Sequence, residues 1–513
     1  MTGDILGMNR RAFLLATAGT AVMVSSARVS AQAPSTLRIA VPADVLSWDA
    51  IAHVHGAAMP LYRSVFDSPL IQSSDKLKII PNVVSAWKWL DSGKTLELTF
   101  RDDVYFHNGD KLTAEDFKFT YLDRLKAEPT LALAGVFGKV ISDIEVKSPT
   151  SAVVHMTQVM PIVLNWFTSL ANFIMPKDYF TRVGKEEFLK KPVGSGPYKL
   201  VEYQQGTRAT FEAFDKYWGG KPKFERVVFD IMKDPAARVA AIQSGTVDLS
   251  VTLPVREALR LSTVSGLIGE VKPLTSVISI LVRDIGDFAN ADVRLAAHYA
   301  INKEAISKAL FSGQAASLSV VGVPTMPGFD PEYAFPFDPA KAKALLAGAG
   351  FTPEKPAKIT FFSTNGVQAN DWEMARVITG MWKQVGIEAK LEALEVAKYF
   401  ELNAAGKLPE ATFWFWNGPA NDPEQFTGTL LNPDSRFSVL KSDDMRQKLA
   451  PLLVEFDQEK RIAGYKDVDR HATEKGYVIP MMQGVTGIAY KKDLEFAWFD
   501  TGWFEPWRIS RKA

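Results

Sequence analysis

The pattern of apolar and polar positions between Lys191 and Leu249 predicts a particular order of turns, strands and one helix. A glycine-rich turn, Val193 to Tyr198, opens the stretch. Two short β-type runs follow, joined by a polar turn at Gly206, and a third strand comes after an aromatic loop. An amphipathic helix then stops at Gly245, and Val247 opens another strand. The predicted bounds are 199–203, 209–213 and 226–232 for the strands and 236–244 for the helix.

Similar patterns outside this stretch predict further strands and helices. Residues 37–41 form a short strand pattern. Thr113, with Asp116 three residues later, is an N-terminal capping signature for the helix that follows. Downstream, residues 372–385 form a helix pattern and residues 387–394 a strand pattern. These elements indicate an α/β organisation.

The N-terminal residues predict an export signal. Arg10 and Arg11 precede an apolar run from Ala12 to Val24 that is too short to span a bilayer. Small residues follow, and cleavage after Ala31 or after Ala33 fits the pattern. We favour Ala31, because the later cut leaves a proline directly after it. The adjacent arginines are similar to a twin-arginine signal, and an ordinary secretory signal that contains Arg-Arg is the alternative.

The composition limits the possible function classes. The chain contains no cysteine, which excludes disulfides, thiolate metal sites, a cysteine nucleophile and the lipid anchor of a surface lipoprotein. An exported protein of this kind is expected to be soluble and retained in a Gram-negative periplasm. Removing residues 1–31, which hold three arginines and one aspartate, changes the formal charge from +1 to −1. This balance gives no electrostatic case for nucleic acid or an anionic membrane. The remaining residues, about 480, exceed one ordinary core, so two or three domains are expected.

Several of these patterns also resemble one protein family. The segments that carry the resemblance are residues 191–249, residues 101–116 with His107-Asn108-Gly109-Asp110 ahead of the capped helix, the helix pair at 292–306 and the helix from Asp338-Pro339 to Gly350. Together they resemble the bacterial extracellular solute-binding proteins of family 5, which are the peptide, nickel and opine receptors of ABC importers. The matches are scattered over nearly the whole mature chain, so the resemblance covers the full architecture.

The resemblance implies both a fold and a function. The fold is α/β and two-lobed (a periplasmic-binding-protein or Venus-flytrap fold), with an additional subdomain inserted in lobe one. Lobe one would comprise residues 34–65, 192–280 and 480–513, the inserted subdomain residues 66–191, and lobe two residues 281–479. The implied function is a periplasmic receptor that carries a small-molecule or peptide solute to ABC permease and ATPase subunits. We expect a monomer with no cofactor, no metal and no catalytic residue.

The aromatic run at residues 413–416 is the best candidate for a ligand site. Strand geometry places the two phenylalanines on one face and Trp414 and Trp416 on the other. Two apolar faces suit a central strand that is covered by helices on both sides. Asn417 begins the turn that ends the strand at its carboxyl edge, where α/β sheets open towards ligands. We therefore predict ligand contacts from Trp416 and Asn417 and a core position for Trp414.

Family resemblance adds further candidates for ligand contact. In the family, the aromatic strand and the Asp-Pro dipeptide after it line the cleft between the lobes, which implicates Asp422. Trp48 and His55 lie where the first lobe of the family meets the cleft, and we include both. His53 and His55 could also hold a metal from one strand face, but no cysteine or carboxylate cluster completes a shell, so two ordinary histidines are the favoured interpretation.

This chain departs from its peptide-binding relatives at two positions. Those relatives carry an aspartate, three residues before the Asp-Pro, that pairs with the peptide amino terminus, and Pro419 stands there. Dipeptide binders hold the carboxylate with an arginine in the loop before the helix at 372–385, where our alignment places Asn365. Charged peptide ends are costly to bury without partners, so the case for a short free peptide weakens.

The departures leave several solutes open. Asn365, Asn370 and Asp371 could bind hydroxyls or amides, and Trp416 could stack on a sugar ring or a side chain. A peptide-like solute and an opine or sugar conjugate therefore fit equally well.

Three other functions are alternatives to a transport receptor for peptide-like solutes. An exported hydrolase would need a convergent acid–base pair in the cleft, and the sequence offers no identifiable one. A binding protein that serves a chemoreceptor would have the same sequence features as a transport receptor. Nickel binding would need a chelating carrier, because only six histidines and no cysteine are present.

Overall fold

The computed structural model describes residues 35–74, 78–365 and 367–512, which belong to one compact unit. The predicted export signal at residues 1–31 and both candidate cleavage sites lie outside these ranges. Within them, no helix has the length and apolar character needed to cross a membrane.

Strands and helices alternate along much of the described chain. The strands are, in chain order, β1 (Thr36–Val41), β2 (Leu70–Gln72), β3 (Ile79–Pro81), β4 (Val84–Trp89), β5 (Thr95–Phe100), β6 (Ile141–Ser148), β7 (Ser151–Met156), β8 (Tyr198–Gln204), β9 (Arg208–Ala213), β10 (Arg226–Ile231), β11 (Leu249–Leu253), β12 (Leu267–Val282), β13 (Ala357–Ser363), β14 (Ile387–Ala393), β15 (Ala411–Asn417), β16 (Val478–Lys491), β17 (Leu494–Glu495) and β18 (Ser510–Arg511).

The α-helices vary from single turns to seventeen residues. They are α1 (Met59–Val65), α2 (Ala114–Lys118), α3 (Arg124–Ala127), α4 (Ala134–Phe137), α5 (Val163–Trp166), α6 (Lys177–Val183), α7 (Lys185–Lys190), α8 (Pro235–Gln243), α9 (Val255–Leu261), α10 (Ala291–Tyr299), α11 (Lys303–Phe311), α12 (Pro339–Gly348), α13 (Asp371–Val385), α14 (Val396–Ala404), α15 (Thr427–Leu430), α16 (Asp443–Leu449) and α17 (Gln458–Glu474). A π-helical segment, Phe119–Asp123, joins α2 to α3.

The elements predicted from the sequence patterns are confirmed. The runs between Lys191 and Leu249 correspond to β8, β9, β10, α8 and β11, with ends that differ by two residues at most. The capping prediction is also confirmed, because the Thr113 backbone N–H donates to the Asp116 carboxylate over 2.8 Å at the start of α2.

One mixed sheet of ten strands runs through the molecule in the order β14-β13-β15-β12-β16-β11-β1-β10-β9-β8. The first three strands lie in the segment predicted as lobe two, and the last five lie in segments predicted as lobe one. The long antiparallel strands β12 and β16 pass from one lobe to the other: β11 pairs with the C-terminal half of β16, and β15 pairs with the C-terminal half of β12. The β12–β16 register shifts between Pro273 and Val277 and between Ile278 and Ser279. Such irregularities bend a strand, and here they lie between the two halves of the sheet.

Each lobe has its own hydrophobic cores. In lobe one, a cluster on one sheet face joins Leu37 of β1 to Phe117 of α2 and to Trp503 near the C-terminus. In lobe two, one cluster surrounds Trp382 of α13, and the other, on the opposite sheet face, contains Trp414 of β15. The predicted core position of Trp414 is therefore confirmed. The fold is α/β and two-lobed.

A second sheet lies within the segment predicted as an inserted subdomain. Its four antiparallel strands follow the order β4-β5-β7-β6 and are separate from the large sheet. The Arg124 guanidinium of α3 connects this segment to the loop after β1, because it donates two hydrogen bonds, of 3.0 and 2.7 Å, to the buried Asp49 carboxylate. The subdomain boundaries at residues 66 and 191 stay a prediction.

The glycine-rich turn before β8 serves close packing. A Cβ on Gly194 would lie 2.0 Å from the Val65 carbonyl oxygen at the end of α1, so only glycine fits. The Gly196 N–H donates to the same carbonyl over 2.9 Å. Between them, the Ser195 hydroxyl donates to the buried Asp67 carboxylate over 3.1 Å. The turn therefore fixes β8 against α1.

Candidate functional site

The carboxyl ends of β13 and β15 form the inner edge of lobe two. The two strands are parallel neighbours, with Ser363 opposite Phe413. Asn365 therefore follows β13 at the same edge at which Trp416 and Asn417 end β15, and Asn365 and Asn417 are exposed. Three of the predicted contact residues thus share one sheet edge, where side chains of parallel sheets meet ligands.

Trp416 is held in place while part of its ring stays accessible. Its indole N–H donates to the Gln425 carbonyl over 2.6 Å, and its ring centroid lies 4.8 Å from that of Phe437. Trp414, two residues earlier, is 5% exposed and stacks on Tyr399 at 3.6 Å. The same strand face therefore changes from core to surface between the two tryptophans, and Trp416 is the one that can stack on a ligand.

The loop from residue 418 to residue 425 is fixed by its own hydrogen bonds. The Gly418 N–H donates to the Thr275 carbonyl over 3.0 Å, which ties the loop to β12. The Gln425 side-chain oxygen accepts from the Ala420 N–H over 2.6 Å. Phe426 packs so close to Gly418 that a Cβ there would lie 1.8 Å from its ring. The loop therefore has one well-defined course at the edge.

Asp422 anchors this loop from inside, and its predicted role as a ligand contact is corrected. It is 4% exposed, and its carboxylate accepts two hydrogen bonds, of 2.7 and 2.8 Å, from the Arg461 guanidinium of α17. Arg461 also donates to Glu424 over 2.7 Å. Although burial opposes the charge of Arg461, the hydrogen bonds and charges of the two acids raise its pKa, so the guanidinium stays charged, while burial raises the pKa of Glu424 to about 7. Both carboxylate oxygens of Asp422 are thus paired with Arg461.

Trp48 is likewise placed in the core of lobe one, which corrects its prediction as a contact residue. It is 3% exposed, and its ring lies edge-on to those of Tyr62, Tyr203 and Phe211 at 5.4 to 6.2 Å. Three aromatic neighbours and the adjacent Asp49–Arg124 ion pair leave it no accessible face. Only the residues after Trp48 in this turn reach the inner edge.

His55 belongs to the part of this turn that reaches the surface. His53 and Val54 are exposed and His55 is half-buried, directly before the 3₁₀ turn Gly56–Ala58. Burial lowers the pKa of His55 against the opposing charge of Asp44, so the ring is neutral at pH 7. Its Nδ1 has no hydrogen-bond partner in the described structure. His55 can therefore exchange a hydrogen bond with a ligand. As for the metal alternative, the described residues contain no group of three or more side chains suited to a metal ion.

The two inner edges meet through residues that the sequence analysis missed. The side-chain amide of Gln72 on β2 donates to the Pro419 carbonyl over 2.9 Å. Asn165 of α5 donates to the Ala420 carbonyl over 3.0 Å. One signal for Gln72 was available in the sequence. It is the polar residue that ends the apolar run Pro69-Leu70-Ile71. The lobes are therefore in direct contact beside Trp416.

Contact between the lobes extends beyond these amides. The ring of Trp89 on β4 lies edge-on to that of Phe456, 4.9 Å away in lobe two. Gly93, in the turn after β4, approaches the same ring so closely that a Cβ would lie 2.9 Å from it. The two lobes are thus in contact at several points.

Buried polar side chains line the crossing strands between the lobes. Thr275 and Ser276 of β12 and Gln483 of β16 are each at most 5% exposed. The Gln483 amide donates to the Leu274 carbonyl over 3.0 Å. Gly484 leaves room for Ser276, whose hydroxyl would lie 1.9 Å from a Cβ at that position. The floor between the lobes therefore offers hydroxyl and amide groups.

The loop before α13 uses its polar residues to hold itself. The Thr364 hydroxyl donates to the Asp371 carboxylate over 2.7 Å, and the backbone N–H groups of Val367 and Gln368 donate to the same carboxylate. The Asn370 amide donates to the Leu310 carbonyl. The suggestion that Asn370 and Asp371 bind solute is therefore corrected, whereas Asn365 remains exposed at the edge.

A groove elsewhere on lobe two is less suited to a ligand of this kind. Its volume is about 970 Å³, and it is lined by the end of α13 and the start of β14, among them Phe351, Lys383 and Glu388. It therefore lies at the opposite ends of the strands that carry Asn365 and Trp416. The carboxyl edge, with its aromatic ring and its amides, is the better candidate site.

Comparisons with known proteins agree with this geometry. The model of the bacterial extracellular solute-binding proteins, family 5 (middle part), matches residues 78–438. The chain is 27% identical over 457 residues to the dipeptide-binding protein of Escherichia coli K12, covering 80% of this chain and 81% of that protein. It is 25% identical over 490 residues to the nickel-binding periplasmic protein of the same organism, covering 88% and 90%. Among solved structures, HbpA2 from Haemophilus parasuis superimposes with a TM-score of 0.82 at 20% identity, covering 93% of this chain and 100% of that chain.

Proposed function

The chain belongs to the bacterial extracellular solute-binding proteins of family 5, and from this premise we propose that it is the periplasmic receptor of an ABC importer. In this proposal its two lobes close around a peptide-like solute or an opine or sugar conjugate and deliver it to the permease and ATPase subunits. The observation that carries the proposal is the meeting of both inner edges beside Trp416, at strands that cross from lobe to lobe.

Closure of the lobes is the proposed mechanism. Solute that contacts both edges binds the closed form better than the open form, so it shifts the equilibrium towards closure. The irregular pairing of β12 and β16 supports bending at the point where the lobes join. No covalent bond needs to change, and the family is made up of solute-binding proteins.

Four of the candidates from the sequence analysis remain as proposed binding residues. Trp416 would stack on a planar or apolar part of the solute, and Asn417 and Asn365 would bind its amides or hydroxyls. His55 would contribute from lobe one. Trp48 and Asp422 are left out, because one is packed in the core and the other is paired with Arg461.

The proposed solute has no need of charged anchors. The relatives in the comparison bind a dipeptide or nickel, and the first of these suggests an amide-bearing solute here. Pro419 supplies only a carbonyl at the edge, and that carbonyl already accepts from Gln72. Asn365 supplies an amide. Neutral hydrogen-bonding groups at both positions favour peptide-like compounds with blocked ends, and hydroxyl-bearing conjugates, over free dipeptides.

The remaining parts of the proposal concern export and partners. The signal at residues 1–31 would direct the chain to the periplasm by the twin-arginine route. There the mature chain would act as a monomer, with lobe boundaries at residues 65, 191, 280 and 479.

Mass spectrometry of small molecules released by denaturing the protein, purified from its native periplasm, tests this proposal. A single amide- or hydroxyl-bearing compound that raises the melting temperature of the stripped wild-type protein is expected. Trp416→Ala should reduce this increase, while Phe400→Ala, an exposed aromatic on the outer side of Trp414, serves as the control. A ladder of free oligopeptides would contradict the proposed preference for neutral ends. A stripped protein that responds to no periplasmic extract would contradict the receptor function.

A further inference from the structure

The two amides that join the lobes differ in the surroundings of their oxygen atoms. Each donates one N–H to a backbone carbonyl of the opposite lobe, and the accepting residues, Pro419 and Ala420, are consecutive. A carbonyl can only accept, so the Gln72 nitrogen faces Pro419 and the Gln72 oxygen must point elsewhere. The orientation of this amide therefore follows from its partner alone.

The oxygen of Gln72 is enclosed without a donor. The residue is 2% exposed, and its Oε1 has no hydrogen-bond partner among the residues that the structure describes. A buried acceptor of this kind destabilises the closed form until a donor reaches it. Asn165 is only partly buried, so water can reach its oxygen. Of the two amides, only that of Gln72 thus has a buried oxygen without a hydrogen-bond donor at the contact.

The position of this acceptor indicates which molecule can reach it. Its partner Pro419 is three residues beyond Trp416 and two beyond the exposed Asn417. Solute at the inner edge would therefore lie next to the contact through which the lobes close. An N–H group is the complement that a carbonyl oxygen requires.

We propose that Gln72 couples solute capture to lobe closure. Its nitrogen, together with Asn165, forms an amide latch between the lobes, and its oxygen accepts a hydrogen bond from an amide N–H of the solute. The role of the oxygen rests on the proposed receptor function, whereas the amide latch stands without it. The latch populates the closed form before solute arrives, and this raises the apparent affinity for solute.

The amide latch can be tested on ligand-free protein. Because the chain has no cysteine, Glu202→Cys on β8 and Glu388→Cys on β14 place spin labels at exposed positions on the two edge strands of the large sheet. The mature protein is stripped by denaturation and refolding, and the label-to-label distances are measured by double electron–electron resonance. We expect a closed population in the otherwise wild-type protein. Asn165→Leu should lower the closed-to-open ratio by about five-fold, the effect of one hydrogen bond, and Gln72→Met should lower it less, because methionine also lacks the buried acceptor that opposes closure.

The matched control is Asn403→Leu. It removes an amide-to-carbonyl hydrogen bond of 2.9 Å, to Arg436, that lies wholly within lobe two. This variant should leave the distance distribution unchanged. A ligand-free protein with no closed population, or latch variants that match the control, would overturn the latch.

The role of the oxygen is tested with a casein-derived mixture of di- and tripeptides that are acetylated at the amino end and amidated at the carboxyl end, read out as the increase in melting temperature. Asn165→Leu loses only the latch, so about five-fold more peptide should be needed for the half-maximal increase. Gln72→Met loses the latch and the acceptor, and at least about twenty-five-fold more should be needed. Equal requirements for the two variants, or no response in the wild type, would overturn the role of the oxygen. If stripped protein with an intact latch responded to no periplasmic extract either, the receptor function would fail and the latch would stand.

Discussion

The two lobes prepare their inner edges in different ways. In lobe two, the loop after β15 is fixed by a buried ion network through Arg461, and Trp416 is positioned by its hydrogen bond to Gln425. In lobe one, the turn at residues 52–58 rests on the buried Trp48 and leaves His53 and Val54 exposed. The proposed binding groups of lobe two are therefore held by more hydrogen bonds than those at the edge of lobe one. A rigid edge contributes specificity because no conformational freedom is lost there on binding.

Breaking the ion network should remove this difference between the two edges. Among the predictions, it should also cause the largest loss of stability. Arg461→Leu leaves the carboxylates of Asp422 and Glu424 without their cation, at a cost of about 3–5 kcal/mol. In lobe one, Arg124→Leu should cost less, because Lys185 also lies near its partners Asp49 and Glu128. Thermal unfolding of both variants checks the order. Equal losses would show that the two lobes depend on buried arginines to the same extent.

The two tryptophans from the sequence analysis should respond in opposite ways. Trp48→Ala removes a core ring and should lower the free energy of unfolding by about 3–5 kcal/mol. Trp416→Ala removes a partly exposed ring, so its stability loss should be smaller, whereas its response to periplasmic solute should fall more. Melting temperatures with and without periplasmic extract separate the two effects. If Trp48→Ala kept its stability but lost the solute response, its assignment to the core would be wrong.

A buried acid next to the ion network should make lobe two sensitive to pH. Burial raises the pKa of Asp469 to about 7, against the hydrogen bond from Thr427 that lowers it. An aspartate that is protonated when folded but ionises near pH 4 when unfolded stabilises the protein below pH 4, and this contribution is lost as the pH rises towards 7. Asp469→Asn keeps a neutral polar group at all pH values. The melting temperature of the variant relative to the wild type should therefore rise between pH 5 and pH 8, by at least about 2 °C.

Asp67 in lobe one provides the comparison for that titration. Burial raises its pKa to about 7 as well, but it accepts from Trp218, Ser195 and Tyr217. Asp67→Asn exchanges one of its acceptor oxygens for a donor, so it should be less stable than the wild type at both pH values. A gain in stability at pH 8 equal to that of Asp469→Asn would contradict the importance of these three hydrogen bonds.

The smallest effect is expected at the surface of lobe two. Arg446 pairs with Asp434 over 3.0 Å, and both side chains are exposed. Arg446→Ala should leave the free energy of unfolding almost unchanged, because water screens exposed ion pairs. Thermal unfolding at low and high salt checks this, and a loss as large as that of Arg461→Leu would refute the distinction between the buried network and surface pairs.

Local patterns predicted the elements of the fold, whereas long-range contacts determined the fate of the site residues. The strand with Trp416 and the capped helix at Thr113 followed from periodicity and spacing, which act over a few neighbours. Trp48 was misjudged because its burial depends on Tyr203 and Phe211, about 160 residues away. Asp422 was misjudged because its partner, Arg461, belongs to another helix. Gln72 was missed for the same reason, since its partner lies 347 residues further along the chain.

The two strands that pass between the lobes also decide how the molecule can move. β12 and β16 are hydrogen-bonded to each other on both sides of the irregular segment, so neither can slide along the other without breaking a ladder. Their pairing is interrupted only near residues 273–279, and bending there disturbs the fewest hydrogen bonds. The two strands therefore form a continuous hinge that bends where their pairing is interrupted, and not a joint between separate parts. Bending at this segment would rotate one lobe against the other while both ladders stay paired.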